Sequence, residues 1–156
     1  MGDNVDIPNF GELLATQVAS LPAGSVPGLL ARLERSAGQR YRDWAIEFEH
    51  DRDGLLACAD REDDIANRVD ALFTISEEQK HTIDEVAPIA IEIFLGVYAG
   101  LSAIQQMTIQ ANAERQGASA WRGLVDAYPQ LNEELELLAK TEESNADYLD
   151  GLLAKT

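Results

Sequence analysis

The chain matches itself when it is shifted by 80 residues, and the match needs no gap. Of the 76 aligned pairs, 15 are identical, which is about three times the number that ordinary residue frequencies give by chance. The pairs Tyr41/Trp121 and Phe48/Tyr128 also keep an aromatic ring at equivalent positions. An internal repeat indicates two copies of one structural unit. We therefore interpret residues 1–76 and 81–156 as two related halves of a single domain that spans residues 1–156.

Helical periodicity runs through both halves, and neither half shows the alternation and turn residues of a strand hairpin. The first helix predicted in each half is short and follows a proline, which suits a helix start. The predicted short helices are residues 9–20 and 89–100, and the predicted long helices are residues 25–50, 53–73, 102–128 and 130–154. Residues 74–88 are predicted to join the halves. The sequence thus predicts an all-α fold, a four-helix bundle with extra short helices.

Each predicted long helix has an apolar stripe that contains one glutamate, because steps of three and four residues along the stripe fall on it. These four glutamates are Glu34, Glu62, Glu114 and Glu142. The repeat relates Glu34 to Glu114 and Glu62 to Glu142. A buried carboxylate without compensation is expensive or becomes protonated. We therefore expect a cation, arginine partners or shared protons in this core. Oxygen ligands suit iron, manganese or magnesium.

The helices around these glutamates resemble those of the ferritin-like superfamily, which includes rubrerythrin-type and other di-iron carboxylate proteins. The resemblance covers residues 25–156 and rests on pattern and topology. Two segments are similar to the family's glutamate helices, and they are residues 33–37 with Tyr41 and residues 113–117 with Trp121. Two others are similar to its Glu-x-x-His helices, and they are residues 61–66 and 141–146. The resemblance implies a ferritin-like bundle with an iron or manganese site at the four glutamates, and oxygen or peroxide as substrate.

The chain departs from that family where the second ligand of each Glu-x-x-His motif should stand. The active members have a histidine three residues after the glutamate, whereas this chain has Ile65 and Asn145. The first interpretation is therefore a ferritin-like protein with a degenerate or absent di-metal site that serves as a scaffold. The alternative is a carboxylate-bound di-iron or manganese protein or oxidoreductase. Whether the chain is an enzyme stays open in both.

The charge of the chain excludes several classes of partner. The formal net charge is -16, from 28 acidic and 12 basic side chains. Such a surface repels phosphate backbones and anionic lipid head groups, so we expect no nucleic acid and no membrane as a partner. The sequence contains no Gly-rich phosphate loop and no nucleophile elbow. Cys58 is the single cysteine, and no disulfide framework can be built from it, so a cytoplasmic location is the default expectation.

Several other residues have a structural and a functional interpretation. Tyr41, Trp44 and Trp121 are expected to be core residues rather than redox-active ones, since they recur at helical spacing. The pairs Glu47/His50 and Glu78/His81 have Glu-x-x-His spacing, which two residues reach easily by chance. The apolar segment of residues 89–98 either flanks the bundle or forms a homodimer contact. No particular protein partner is indicated.

Overall fold

The computed structural model describes residues 4–156, and the first three residues of the predicted first half lie outside the described part. Residues 4–156 contain helices and no strand, so the predicted all-α class is confirmed. The α-helices are α1 (Phe10–Leu13), α2 (Ala15–Ala19), α3 (Val26–Glu47), α4 (Arg52–Leu72), α5 (Glu77–Gly96), α6 (Ala103–Gly123) and α7 (Asn132–Leu153). Among these described helices, none combines the length and the apolar character needed to cross a membrane.

The bounds of α3, α4, α6 and α7 lie close to the four predicted long helices, but α5 differs from its prediction. It begins at Glu77, and Pro88 lies inside it rather than before its start. The physical reason is the capping box at Ser76. Its side chain accepts a hydrogen bond from the Gln79 backbone N–H, and the Gln79 side chain accepts one from the Ser76 backbone N–H. These bonds satisfy exposed donors of the first turn, where Glu77 and Glu78 also favour a helix start. The predicted joint over residues 74–88 is therefore mostly helix.

The chain divides into two compact units, which are Asn9–Ala99 and residues 4–8 with Gly100–Thr156. We call them the first and the second unit. This division places α5 in the first unit, whereas the repeat assigned most of it to the second half. That the whole chain forms one domain stays a prediction.

In the first unit, α3 packs against both α4 and α5. Where α3 meets α5, the apolar core consists of Leu14, Leu21, Leu29, Ile83, Ala87 and Ala90. Gly28 allows the two helices to approach closely, since a Cβ atom at this position would lie 2.6 Å from the Cδ1 atom of Ile83. An ion pair between Arg32 and Asp84 also joins α3 and α5.

In the second unit, α6 and α7 form a helical hairpin. Its largest buried apolar side chains are Met107, Ile109, Trp121, Leu135, Leu138 and Leu149. The segment of residues 4–8 is tied to α6, because the Gln116 amide donates a hydrogen bond of 2.8 Å to the Pro8 carbonyl. Gly117 lies within α6.

Features of the two hairpins recur at the spacing of the sequence repeat. The 3-10 turns Glu49–Asp51 and Pro129–Leu131 are 80 residues apart, and so are the starts of α4 and α7 at Arg52 and Asn132. Two ion pairs also recur at this spacing. Arg35–Asp70 corresponds to Arg115–Asp150, and Arg42–Asp63 corresponds to Arg122–Glu143. Each hairpin therefore holds its helices with the same pattern of surface charges.

Candidate metal-binding carboxylates

The four glutamates predicted from the sequence lie on α3, α4, α6 and α7, one on each helix. Glu62, Glu114 and Glu142 are 0%, 1% and 2% exposed, whereas Glu34 is half-buried. The prediction that these side chains lie on the inner faces of their helices is thus confirmed for the three most buried. Surface carboxylates are usually solvated, so three buried ones need a compensating interaction.

The first unit brings Glu34 and Glu62 together. Each offers a carboxylate oxygen, and the two oxygens lie within 4.8 Å of each other. Gly38 on α3 packs beside Glu62 on α4, since a Cβ atom added at Gly38 would lie 3.4 Å from the Cβ atom of Glu62. Two carboxylates so close repel each other unless they share a proton or a cation lies between them. The two oxygens are close enough to hold a divalent cation between them.

The second unit holds its glutamates by uncharged donors. The amide of Gln110 donates a hydrogen bond of 3.0 Å to the Oε1 atom of Glu114, one turn further along α6. The indole N–H of Trp121 donates a hydrogen bond of 3.0 Å to the Oε1 atom of Glu142 across the hairpin. A donor to a carboxylate stabilises its negative charge. Because amide and indole groups are neutral, these two hydrogen bonds do not themselves neutralise that charge.

Gly117 makes room for the Glu142 carboxylate. A Cβ atom at Gly117 would lie 2.9 Å from the Oε1 atom and 3.2 Å from the Oε2 atom of Glu142. An alanine at this position would require the Oε1 atom to move and would be in tight contact with the Oε2 atom. In the first half of the repeat, Ala37 and Tyr41 stand at the positions of Gly117 and Trp121. The two units therefore carry different residues at these two positions.

The residues at the two histidine positions of the ferritin-like motif are buried. Ile65 and Asn145 are both 0% exposed and lie one turn after Glu62 and Glu142 on the same helix faces. Isoleucine offers no ligand atom, and the asparagine oxygen is a weak neutral ligand. The candidate donors are therefore oxygens, a set that fits Mn²⁺, Mg²⁺ or Fe²⁺ better than softer ions.

The two histidines lie away from these glutamates. His50 is exposed in the turn Glu49–Asp51. His81 is exposed near the start of α5, where its Nε2 atom lies 3.2 Å from the Oε1 atom of Glu85 on the same helix. The interpretation of the two Glu-x-x-His spacings as chance is consistent with these positions.

Sequence reasoning missed the role of Trp121 and treated it only as a core residue. Trp121 is 0% exposed, so that prediction is confirmed, but its N–H group also contacts Glu142. The available signal was the spacing of four residues between Gly117 and Trp121, which places both on one helix face. The partner of that face is not readable from the sequence, since it depends on the register of α6 against α7.

Comparison of the chain with protein families, with curated proteins and with solved structures gives no match.

Proposed function

We propose that this chain is a divalent-metal-binding protein with a ferritin-like four-helix bundle. In this proposal α3, α4, α6 and α7 form the bundle and arose by duplication of one helical hairpin. Glu34, Glu62, Glu114 and Glu142 provide the metal ligands, and manganese or iron is the metal. The recurrence of helix starts, turns and ion pairs at a spacing of 80 residues supports the duplication. The close pair of carboxylates at Glu34 and Glu62 carries the metal proposal.

The charge of the four glutamates is matched by divalent metal in this proposal. Four ionised glutamates carry four negative charges, which two divalent cations would neutralise. Arg35, Arg42, Arg115 and Arg122 form ion pairs with other carboxylates, at Asp70, Asp63, Asp150 and Glu143. The uncharged donors at Glu114 and Glu142 orient the carboxylates without neutralising them. A preoriented and negatively charged set of oxygens is what a hard divalent cation requires.

A second candidate function is a non-catalytic helical scaffold whose metal site is degenerate or absent. Ile65 and Asn145 favour it, because they remove the nitrogen ligands that active di-iron carboxylate proteins use. Oxygen or peroxide chemistry is a further step that depends on bound metal. The cytoplasmic location and the homodimer also stay predictions.

The first test is metal content by elemental mass spectrometry, on protein purified without chelator or nickel and then incubated with Mn²⁺ or Fe²⁺. We expect one to two ions per chain after gel filtration, since four carboxylates can neutralise about two divalent ions. Glu62→Gln and Glu142→Gln should lose most of this metal. Their matched controls are Asp60→Asn and Glu134→Gln, which change exposed carboxylates on the same two helices.

The controls separate binding at the glutamates from general attraction to an acidic surface. If all four variants retain the same metal, the four glutamates are not the site. If the unaltered protein retains less than about a tenth of an ion per chain, the metal-binding proposal is wrong, because structural metal sites in proteins are stoichiometric.

A further inference from the structure

We propose that the turn between α3 and α4 is a docking surface for a positively charged segment of a partner protein. The surface, which we call the turn cleft, is an open cleft of about 460 Å³ lined by Ile46, Glu47, Phe48, Glu49, His50 and Asp51. The segment that fits it carries lysine or arginine beside a large apolar side chain. The four glutamates of the metal proposal are not among the lining residues, so the docking surface stands or falls independently of metal binding.

The apolar part of the turn cleft is centred on Ile46. Its exposed fraction of 80% is the largest among the exposed large apolar residues of the described chain, and the next is Leu137 at 54%. A single exposed apolar residue is common on protein surfaces, but Ile46 shares its cleft with the half-buried ring of Phe48. An apolar side chain of a partner in this cleft would remove both residues from water, which favours binding.

The fold of the hairpin does not require an isoleucine at this position. Both hairpins have a 3-10 turn here, at the spacing of the repeat. The second unit has Asp126 and Ala127 where the first has Ile46 and Glu47, and Asp126 is exposed. The turn therefore forms with a charged residue in place of the exposed isoleucine, so folding alone does not account for Ile46.

The charge around the turn cleft gives the chemistry of the partner. Residues 43–53 contain five carboxylates and one arginine, which are Asp43, Glu47, Glu49, Asp51, Asp53 and Arg52. Carboxylates on the rim of an apolar cleft attract lysine and arginine and repel acidic segments. The complementary partner is therefore cationic, with an apolar side chain for the cleft itself.

The position of Glu47 is unfavourable for the free protein. Glu47 is exposed and is the last residue of α3, and the last turn of this helix contains no basic residue. A helix C-terminus carries partial negative charge and favours cations. In the second unit, the last turn of α6 contains Arg122. A cationic side chain of a partner at Glu47 would supply the positive charge that α3 lacks.

The probe is a short synthetic peptide with a central leucine–tryptophan pair flanked by lysines. It is titrated into the isotope-labelled, metal-free full chain, and the amide chemical shifts are followed by NMR. We expect the shifts to concentrate at residues 43–53. Two control peptides should bind more weakly, one with serines in place of the leucine–tryptophan pair and one with glutamates in place of the lysines.

Two variants separate the apolar contact from the charge. Ile46→Gln should weaken the lysine peptide about ten-fold, because it removes the apolar contact and keeps the net charge. Its control is Leu137→Gln, which changes an exposed leucine of α7 and should leave binding unchanged. Glu47→Gln should weaken binding about two- to five-fold, as expected for an exposed charge pair. Its control is Glu133→Gln, which removes the same charge from an exposed position at the start of α7.

The urea midpoint of each variant distinguishes docking from folding. Glu47→Gln should have a midpoint equal to or above that of the unaltered protein, since it removes a carboxylate from a helix C-terminus. It therefore tests the surface even if Ile46→Gln is unstable. Shifts spread over the acidic surface, or no shifts at residues 43–53, would overturn the proposal. Equal binding of the serine peptide, or equal weakening by each variant and its control, would reduce the effect to general attraction between opposite charges and would overturn it as well.

Discussion

Small residues on α3 decide how closely its neighbours approach. At Gly28 an added Cβ atom would lie 2.6 Å from the buried end of Ile83 on α5. At Gly151 on α7, by contrast, no heavy atom lies within 4 Å of an added Cβ atom. The same substitution should therefore have opposite effects at the two positions.

We expect Gly28→Ala to lower the free energy of unfolding by about 1–3 kcal/mol, because the core must shift to admit the methyl group. Gly151→Ala should raise it by about 0.5–1 kcal/mol, because alanine is the better helix former at an exposed position. Urea unfolding monitored by circular dichroism measures the free energy of unfolding of both variants. A stabilised Gly28→Ala protein would show that Ile83 moves aside freely and that close packing of α3 against α5 does not require a glycine at position 28.

At the scale of the helices, two capping boxes set where α5 and α6 begin. Ser76 with Gln79 and Ser102 with Gln105 form the same reciprocal hydrogen bonds. The box at Ser76 explains why α5 starts well before Pro88 and why a start at residue 89 was wrong. Proline lacks the N–H group that its position in the helix would use, yet α5 continues through it because tertiary contacts at Ile83, Ala87 and Ala90 hold the helix on both sides.

Ser76→Ala should destabilise the protein by about 1 kcal/mol, since it leaves donors of the first turn without their side-chain acceptor. Ser119→Ala, at an exposed position inside α6, is the control and should be neutral or slightly stabilising because alanine has the higher helix propensity. Thermal unfolding of both variants provides the comparison. Equal midpoints for the two would mean that the capping box does not determine the start of α5.

Arg122 on α6 forms ion pairs with two glutamates of α7. Its guanidinium donates to Glu136 at 2.8 and 3.0 Å and to Glu143 at 2.6 Å. These hydrogen bonds lower the pKa of both carboxyls and raise the pKa of Arg122. A carboxyl whose pKa is lowered in the folded state contributes stability above its unfolded pKa, and this stability is lost as the pH falls through the folded pKa.

We therefore expect Arg122→Gln to be less stable than the unaltered protein at pH 7. The difference in the free energy of unfolding between the two proteins should narrow as the pH falls below about 4.3, the ordinary pKa of a glutamate. Added salt should also reduce this difference, because Arg122 and its two glutamates are exposed. Arg52→Gln, at an exposed residue of α4, is the control. Denaturant midpoints across the pH range measure the effect, and a difference independent of pH would assign the role of Arg122 to packing instead.

For the whole molecule, the dominant property is a net charge of -16. Charge of one sign destabilises a compact state by self-repulsion, and salt screens this repulsion over about 10 Å at 0.1 M. Metal bound at the glutamates would add stability by a different route, since ligand at a hundred times its dissociation constant contributes about 2.7 kcal/mol. Screening by salt and binding of metal would both raise the melting temperature, so an experiment must separate the two effects.

We expect NaCl alone to raise the melting temperature of the metal-free protein. Mn²⁺ at the same ionic strength should raise it further, and Glu62→Gln with Glu142→Gln should abolish only the second increase. Differential scanning calorimetry measures both steps. An increase with Mn²⁺ that the double substitution leaves unchanged would reflect screening of the acidic surface and not a site.

The sequence by itself determined the helical class, the approximate extents of α3, α4, α6 and α7, and the inward position of Glu62, Glu114 and Glu142. These follow from periodicity along one helix, which is a local property of the chain. The tertiary structure alone decided that Trp121 donates to Glu142 and that Gly117 makes room for it, because residues 21 and 25 positions apart meet only through the register of α6 against α7. Contacts of this kind depend on rotamers and on distances of a few tenths of an ångström, which no pattern along the chain records.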